Sequence, residues 1–308
     1  MAVPNLGEIS AITFKYFLPK MVDNIFNSNA LLQRWRGKDN YATIDGGTDL
    51  NFPVAFASTT ASGWYNGADT LDVSANDQVD AATFDWKQTY ASILITRLDE
   101  LKNSGKAQVI NFVKAKVQLA EKTLADGLGT GIYNNGSVAN ELVGLRAGVL
   151  ATGTYGGIDS STNSWWQSQV DSGTTTLSMG TMQSLYGDAT IDNDKPSVLV
   201  GTQDNFDRFY GLLQPQQRFS DSETAKGGFS NLMFNGRPFI VDSHVPADHI
   251  YYLNENYIGF KVHKDEDFRF EPFQKPTNQN VSFAKVYWTG ALYINNRRMH
   301  GVMSAITS

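Results

Sequence analysis

"ITRLDELKNSGKAQVINFVKAKVQLAEKTLADGL", residues 95–128, is the stretch on which the fold turns. Leu98, Leu101, Val109, Phe112, Val113, Val117, Ala120 and Leu124 recur at steps of three and four. That spacing places apolar side chains along one face of a helix. Lys102, Lys106, Lys114, Lys116, Glu121 and Lys122 occupy much of the remaining surface. At ~1.5 Å per residue, a helix over 98–128 is about 35–45 Å long, enough to act as a spine. Gly105 interrupts the pattern, so the first turns are expected to be separate or kinked.

The spine runs into "EKTLADGLGTGIYNNG", residues 121–136, where Gly127, Gly129 and Gly131 are spaced like a phosphate-binding loop. A dinucleotide fingerprint needs a strand before its glycines and a helix after them, and here the helix comes first. A Walker loop needs Gly-Lys-Ser/Thr, and the next lysine after these glycines is Lys195. The expectation is therefore a helix stop, with glycine in the C-cap position where positive φ costs little.

Ahead of the spine, "DLNFPVAFA" (49–57) alternates, with Leu50, Phe52, Val54 and Phe56 on one side. That is a strand with one buried face. Pro53 cannot donate to a ladder, which assigns the strand to an edge or a protruding ribbon. The polar stretch "STTASGWYNGADT" separates it from a returning strand pair or bent strand over 79–95. The expected product is a long hairpin with its tip near Trp64 to Gly67, lying on a neighbouring molecule. Residues 1–40 read as an extended arm with one or two short helices, closed by the basic turn "RWRGKDN".

Beyond the glycines, residues 136–180 are loop-rich. A helix capped by Ser178 follows. "PSVLVG" (196–201) reads as a buried strand, leading to a helix opened by Thr202 with Phe206, Phe209, Tyr210 and Leu213 on one face. "RPFIVD", "HIYYLN", "YIGFKV" and "FRFEPF" are short strands. The chain closes with "VSFAKVYWTGALYINNRRMHGVMSAI": a long strand, a turn or bulge at Asn295-Asn296, and a final strand.

Composition narrows the function. With 308 residues, 41% of them apolar and 18% charged, the chain builds a substantial core. It has no apolar run that would span a bilayer and no secretory signal. The absence of cysteine excludes disulfides, thiolate metal sites and cysteine nucleophiles. A net charge of −6 argues against tight nucleic-acid binding as the main task. The histidines are His244, His249, His263 and His300. His244 and His249 flank Pro246 at a spacing that is not a helical ligand pair, so structural roles are expected. "HKDEDFRFE" (263–271) lacks the glycine of a calcium loop and reads as a solvated turn. No Gly-x-Ser-x-Gly elbow occurs, and no catalytic residue, metal or cofactor is expected. Trp64-Tyr65 and Trp165-Trp166 lie in polar loops and are read as interface anchors, a position in which such residues are enriched. The subunit-interface candidates are Trp64, Tyr65 and Asn66 at the tip, with Phe52 and Phe56 on the strand.

The order of these parts (arm, hairpin, spine helix, glycine-bearing loop, α/β centre, returning strands) resembles the major capsid proteins of tailed double-stranded-DNA phages. The segments that carry the likeness are "GGTDLNFPVAF", the spine, "PSVLVGTQDNFDRF" and "VYWTGALYINNRRMHGVM". The resemblance implies an α+β fold of the Hong Kong 97 type: an N-terminal arm (1–40), an extended loop (41–95) across a neighbouring subunit, a peripheral domain (96–136 and 264–308) and an axial domain (137–263). It implies self-assembly into hexamers and pentamers of an icosahedral shell in the virion, formed in the host cytoplasm. Implied partners are a portal protein, a separate scaffolding or decoration protein, and packaged DNA in non-specific contact; no membrane is involved. No coiled-coil-like segment precedes the arm, so no fused scaffolding domain is expected. Some family members crosslink through an extended-loop lysine. The stretch from Asn40 to Trp86 holds no lysine, so no covalent ladder is expected on SDS gels of particles. Two other readings stand beside this one: an encapsulin-like compartment, and a β-rich carbohydrate-binding or adhesin module using the tryptophans. An enzyme ranks behind both.

Overall fold

The computed structural model describes residues 29–98, 106–173, 176–213 and 232–306. The expected arm over 1–28 and the interruption at Gly105 lie outside them. Helix α1 (Ala30–Gly37) starts at Asn29, whose side chain accepts the Leu32 amide, and it buries Leu31, Leu32 and Trp35. The end of the supposed arm is thus anchored in the core. Strands β1 (Tyr41–Ile44), β2 (Leu50–Ala55), β3 (Val79–Phe84) and β4 (Lys87–Thr96) follow. β2 and β3 pair antiparallel from Leu50↔Phe84 to Ala55↔Val79, forming the expected ribbon. Leu50 and Val54 are buried and Phe52 is half-buried, while Asn51, Pro53 and Ala55 are exposed, as the alternation requires.

The spine is α2 (Lys106–Ile132). Val117, Ala120 and Leu124 are buried as expected, but Leu98 is exposed. The helix does not stop at the glycines. It runs through Gly127, Gly129 and Gly131, because Leu128 and Ile132 extend the buried face. Burying those two side chains outweighs the helical cost of about 1 kcal/mol per glycine. Of the three, Gly129 is the one that close approach requires, whereas a Cβ on Gly127 would meet nothing within 4 Å and one on Gly131 would make an ordinary contact. A Cβ on Gly129 would lie 2.5 Å from the His244 ring, and one on Gly131 would meet Leu142 at 3.5 Å. The first left-handed glycine after the spine is Gly136, at φ +67°.

Two short hairpin strands, β5 (Thr154–Tyr155) and β6 (Ile158–Asp159), precede β7 (Gln169–Asp171). Helix α3 (Met179–Asp188) is capped by Ser178 with a reciprocal Thr181 contact. β8 (Val198–Gly201) is buried throughout. It leads into α4 (Gln203–Leu213), where Phe209 is buried and Phe206, Tyr210 and Leu213 pack beside it. Strands β9 (Met233–Phe234), β10 (Arg237–Val241), β11 (Ile250–Leu253), β12 (Ile258–His263), β13 (Arg269–Gln274), β14 (Val281–Ile294) and β15 (Gly301–Met303) complete the chain.

These strands form two main sheets. In the first, β1, β12, β14 and β13 lie in that order, with β4 along the other edge of β14. The spine packs against β4. The second has the order β7-β15-β11-β8-β10-β9. Its alternation splits the core. Val198, Val200, Tyr251, Leu253 and Val302 face the spine and first sheet. Leu199, Ile250, Tyr252 and Met303 face α3 and α4. Sheet membership departs from the partition expected from sequence at four strands. β12 belongs to the spine-side sheet, β15 lies inside the other sheet between β7 and β11, and β1 and β4 lie in the body rather than in the extended loop. The long closing segment crosses between sheets at Asn295-Asn296, where parity of burial alone carries no signal of which sheet a strand joins.

Candidate assembly surfaces

The ribbon has a clamped root. Phe52 stacks on Tyr293 at 4.4 Å between ring centroids, and Phe84 meets Tyr155 edge-on at 5.2 Å. Phe56 stacks on Trp165 at 4.9 Å. The Thr83 amide donates to the Gly156 carbonyl at 2.8 Å. Gly156 has φ +60°, and a Cβ there would approach Phe84 to 3.1 Å, so glycine is required on both counts. Trp166 is buried, and its indole N–H donates to the Tyr155 carbonyl at 2.9 Å. Phe52, Phe56, Trp165 and Trp166 brace the ribbon against its own body, Trp166 fully buried and the other three half-buried, because aromatics at the base of a projecting hairpin find apolar partners on their own body.

The tip is different. Trp64 is 105% exposed, Tyr65 68%, Leu71 57% and Val73 90%. Asn66 lies in a turn closed on itself, its amide donating to Asp69 and the Asp69 amide to its carbonyl, each at 2.8 Å. No contact ties Trp64 or Tyr65 to the body among the described residues. Residues 41–86 contain seven aspartates and no Lys, Arg or Glu. The total is −6, so the rest of the chain carries +1. Lys87, at the root, opens β4 in the body sheet.

Two body surfaces stand open. On the spine, Lys122 and Leu119 (60% exposed) are presented outward beside half-buried Lys116, at steps of three. On β4, Tyr90 and Leu94 are exposed opposite Tyr287 and Phe283 of β14.

An ionic lock that sequence reasoning missed ties α1 to the segment between β11 and β12. Glu255 is 4% exposed and receives Arg34 Nε at 2.6 Å, Arg34 NH2 at 2.9 Å, Lys38 Nζ at 2.6 Å and Ser197 Oγ at 2.7 Å. Asn40 donates to the Glu255 and Ile258 carbonyls. Burial alone would raise the Glu255 pKa, but hydrogen bonds from Arg34, Lys38 and Ser197 hold it below the usual range. Arg34 and Glu255 are 221 residues apart, so only the helical i, i+4 spacing of Arg34 and Lys38 could have hinted at a shared acceptor.

The other polar candidates are structural. His300 is fully buried and accepts the Asn254 amide on Nδ1 at 3.2 Å; burial, reinforced by Arg297, pushes its pKa down to about 3. Arg297 is buried and donates to the carbonyls of Gly148 and Leu150, each at 2.8 Å. His249 pairs with Asp248 at 2.7 Å, and His263 accepts the Asp265 amide. The solvated-turn reading of 263–271 holds for Asp265 but not for Asp267. Asp267 accepts the Tyr41 hydroxyl at 2.6 Å, and burial raises its pKa.

A body of two sheets joined by a long helix, with a braced ribbon carrying an exposed apolar tip, has the Hong Kong 97-type fold seen in capsid proteins. Superposition on solved structures establishes it. A chain of the cyanophage A-1(L) capsid asymmetric unit matches with a TM-score of 0.66 and 16% identity, over 86% of this chain and 90% of that one. The capsid of the native GTA particle gives 0.62 and 11% identity, over 89% and 90%. The holo-SrpI encapsulin complex from Synechococcus elongatus PCC 7942 gives 0.59 and 9%, over 89% and 87%. No family model and no curated protein matches this chain by sequence.

Proposed function

We propose that this chain is the major capsid protein of a tailed phage, assembling as hexamers and pentamers into an icosahedral shell around double-stranded DNA. The observation that carries the reading is the ribbon. Its root is locked by aromatic stacking, while its tip exposes Trp64 and Tyr65 to solvent. A monomer gains nothing from holding such a group away from its own core, whereas an assembly buries it. Charge supports the same partner. A ribbon whose charged residues are all aspartates, on a near-neutral body, is drawn to the lysine-bearing spine of a second copy and is repelled by a second ribbon. Trp64, Tyr65 and Asn66 are the interface residues in this reading. The portal and any scaffolding or decoration protein join the assembled rings, and the mature location is the virion.

Light scattering of the purified chain followed by negative-stain microscopy tests this. Rings of five or six subunits, or closed shells, are expected, dissociating as ionic strength rises. A monomer at every concentration and salt level overturns it. The likeness to an encapsulin favours a second reading, a shell around protein cargo. Nuclease-protected DNA in isolated particles supports the phage reading, and a co-purifying enzyme supports the compartment.

A further inference from the structure

Gly129 is where the spine helix receives a side chain from the other half of the molecule. Asp126, Gly129 and Tyr133 follow one another at steps of three and four, and so share a face at and just past the end of α2. That face meets the loop after β10. The His244 ring lies against Gly129, its Nε2 3.0 Å from Asp126 Oδ1 and its Nδ1 3.0 Å from Asp242 Oδ1. The Tyr133 hydroxyl donates to the other Asp242 oxygen at 3.2 Å. A neutral imidazole has one N–H and can donate to one of these carboxylates only. The imidazolium donates to both.

We propose that Asp126, His244 and Asp242 form a proton-operated latch between the spine helix and the six-stranded sheet, closed when the imidazole is charged and open when it is neutral. The two carboxylates have different freedom. Asp242 is 2% exposed and fixed by Tyr133 and the His244 amide, whereas Asp126 is 79% exposed. Loss of the proton therefore leaves the Asp242 contact in place and releases Asp126 into water. The other groups packed around the site do not replace it. Tyr251 lies beyond Tyr133 at 5.8 Å between centroids, with Arg146 acting on it; His249 stacks on Tyr251 but is paired with Asp248.

Burial alone would lower the His244 pKa. The hydrogen bonds to Asp126 and Asp242 outweigh it and raise the value above the ordinary 6.5. A raised folded value means the latch is fully made below the unfolded pKa and is lost as pH climbs through the folded one. The state of the latch sets how firmly the last turns of the spine are held to the second sheet.

Hydrogen exchange on the full-length chain tests this, with protection factors corrected for intrinsic rates between pH 5.5 and 8.5. Protection over 122–133 is expected to fall about tenfold as pH rises, the loss of one charge-assisted hydrogen bond. Asp126→Asn changes an exposed side chain and should abolish that pH dependence. Gly129→Ala, which drives the ring off the helix, should do the same. Flat protection in the wild type, or an unchanged pH dependence in Asp126→Asn, overturns the latch. The measurement concerns the single chain, so its failure is distinguishable from failure of the shell reading.

Discussion

Replacing Trp64 with alanine separates assembly from folding. The indole is fully exposed in the subunit, so its removal deletes no internal contact. Subunit stability should change by no more than about 0.5 kcal/mol. Covering an indole in an interface removes roughly 200 Å² from water, an upper limit near 5 kcal/mol at about 25 cal/mol per Å². Aromatic anchors at interfaces realise about 2–4 kcal/mol of this when truncated. That range corresponds to a roughly 30- to 900-fold rise in the concentration at which particles form. Light scattering across a dilution series reads the threshold, and urea denaturation of the free subunit reads stability. An unchanged threshold refutes the role of the tip. So does a fall in urea midpoint that accounts for the lost assembly.

Three further outcomes follow from the same geometry. Glu255→Gln should lower subunit stability by about 2–4 kcal/mol, because Arg34 and Lys38 keep their charges beside a neutral acceptor; a melting temperature equal to the wild type would contradict the lock. In the wild type, the Glu255 contribution is present above its unfolded pKa of 4.5 and disappears as pH falls through its lower folded value. His300 acts in a higher window: the unfolded imidazole takes up a proton below 6.5, the folded one only near 3, so stability drops by about 1.4 kcal/mol per pH unit between them. His300→Asn keeps an acceptor for the Asn254 amide without titrating, and a variant whose urea midpoint falls with acid as steeply as the wild type would show that His300 is not the cause.

Legibility in the sequence followed the range of the forces involved. The spine, the ribbon, the Ser178 cap and the buried β8 were readable, because period, proline position and capping residues act within a few neighbours. The helix end was not. Gly127, Gly129 and Gly131 look like a stop on propensity, and what keeps them helical is burial of Leu128 and Ile132 and the seating of His244, 115 residues beyond Gly129. The exposed tip was readable because Trp64-Tyr65 sits between polar runs. Trp165-Trp166 has the same local setting, yet it is internal because the ribbon root returns to cover it. Glu255, Arg297 and His300 gave no local signal, since their partners come from distant segments.

The placement of charge works against a ribbon this exposed pairing with its own kind in the proposed assembly. β2 and β3 form a sheet of two strands; the Thr83 amide on the outer edge of β3 is taken by the Gly156 carbonyl, and the outer edge of β2 joins no further strand among the described residues. Such edges template association with any extended chain. Here Pro53 removes a donor from β2, and aspartates stand at positions 49, 69, 72, 77, 80 and 85 along or beside the ribbon without a compensating cation. In the proposed assembly two ribbons brought together repel, while a ribbon laid on a second body is drawn to its spine, where Lys122 and Leu119 are exposed. The like-charge term acts against ribbon-to-ribbon aggregates, and the apolar tip acts in favour of ribbon-to-body contact, so both push toward the same arrangement. If the chain assembles as proposed, neutralising several of these aspartates as asparagine should therefore not lower the concentration at which particles form. It should divert subunits into irregular aggregates, because the edge remains open and the repulsion that disciplined it is gone.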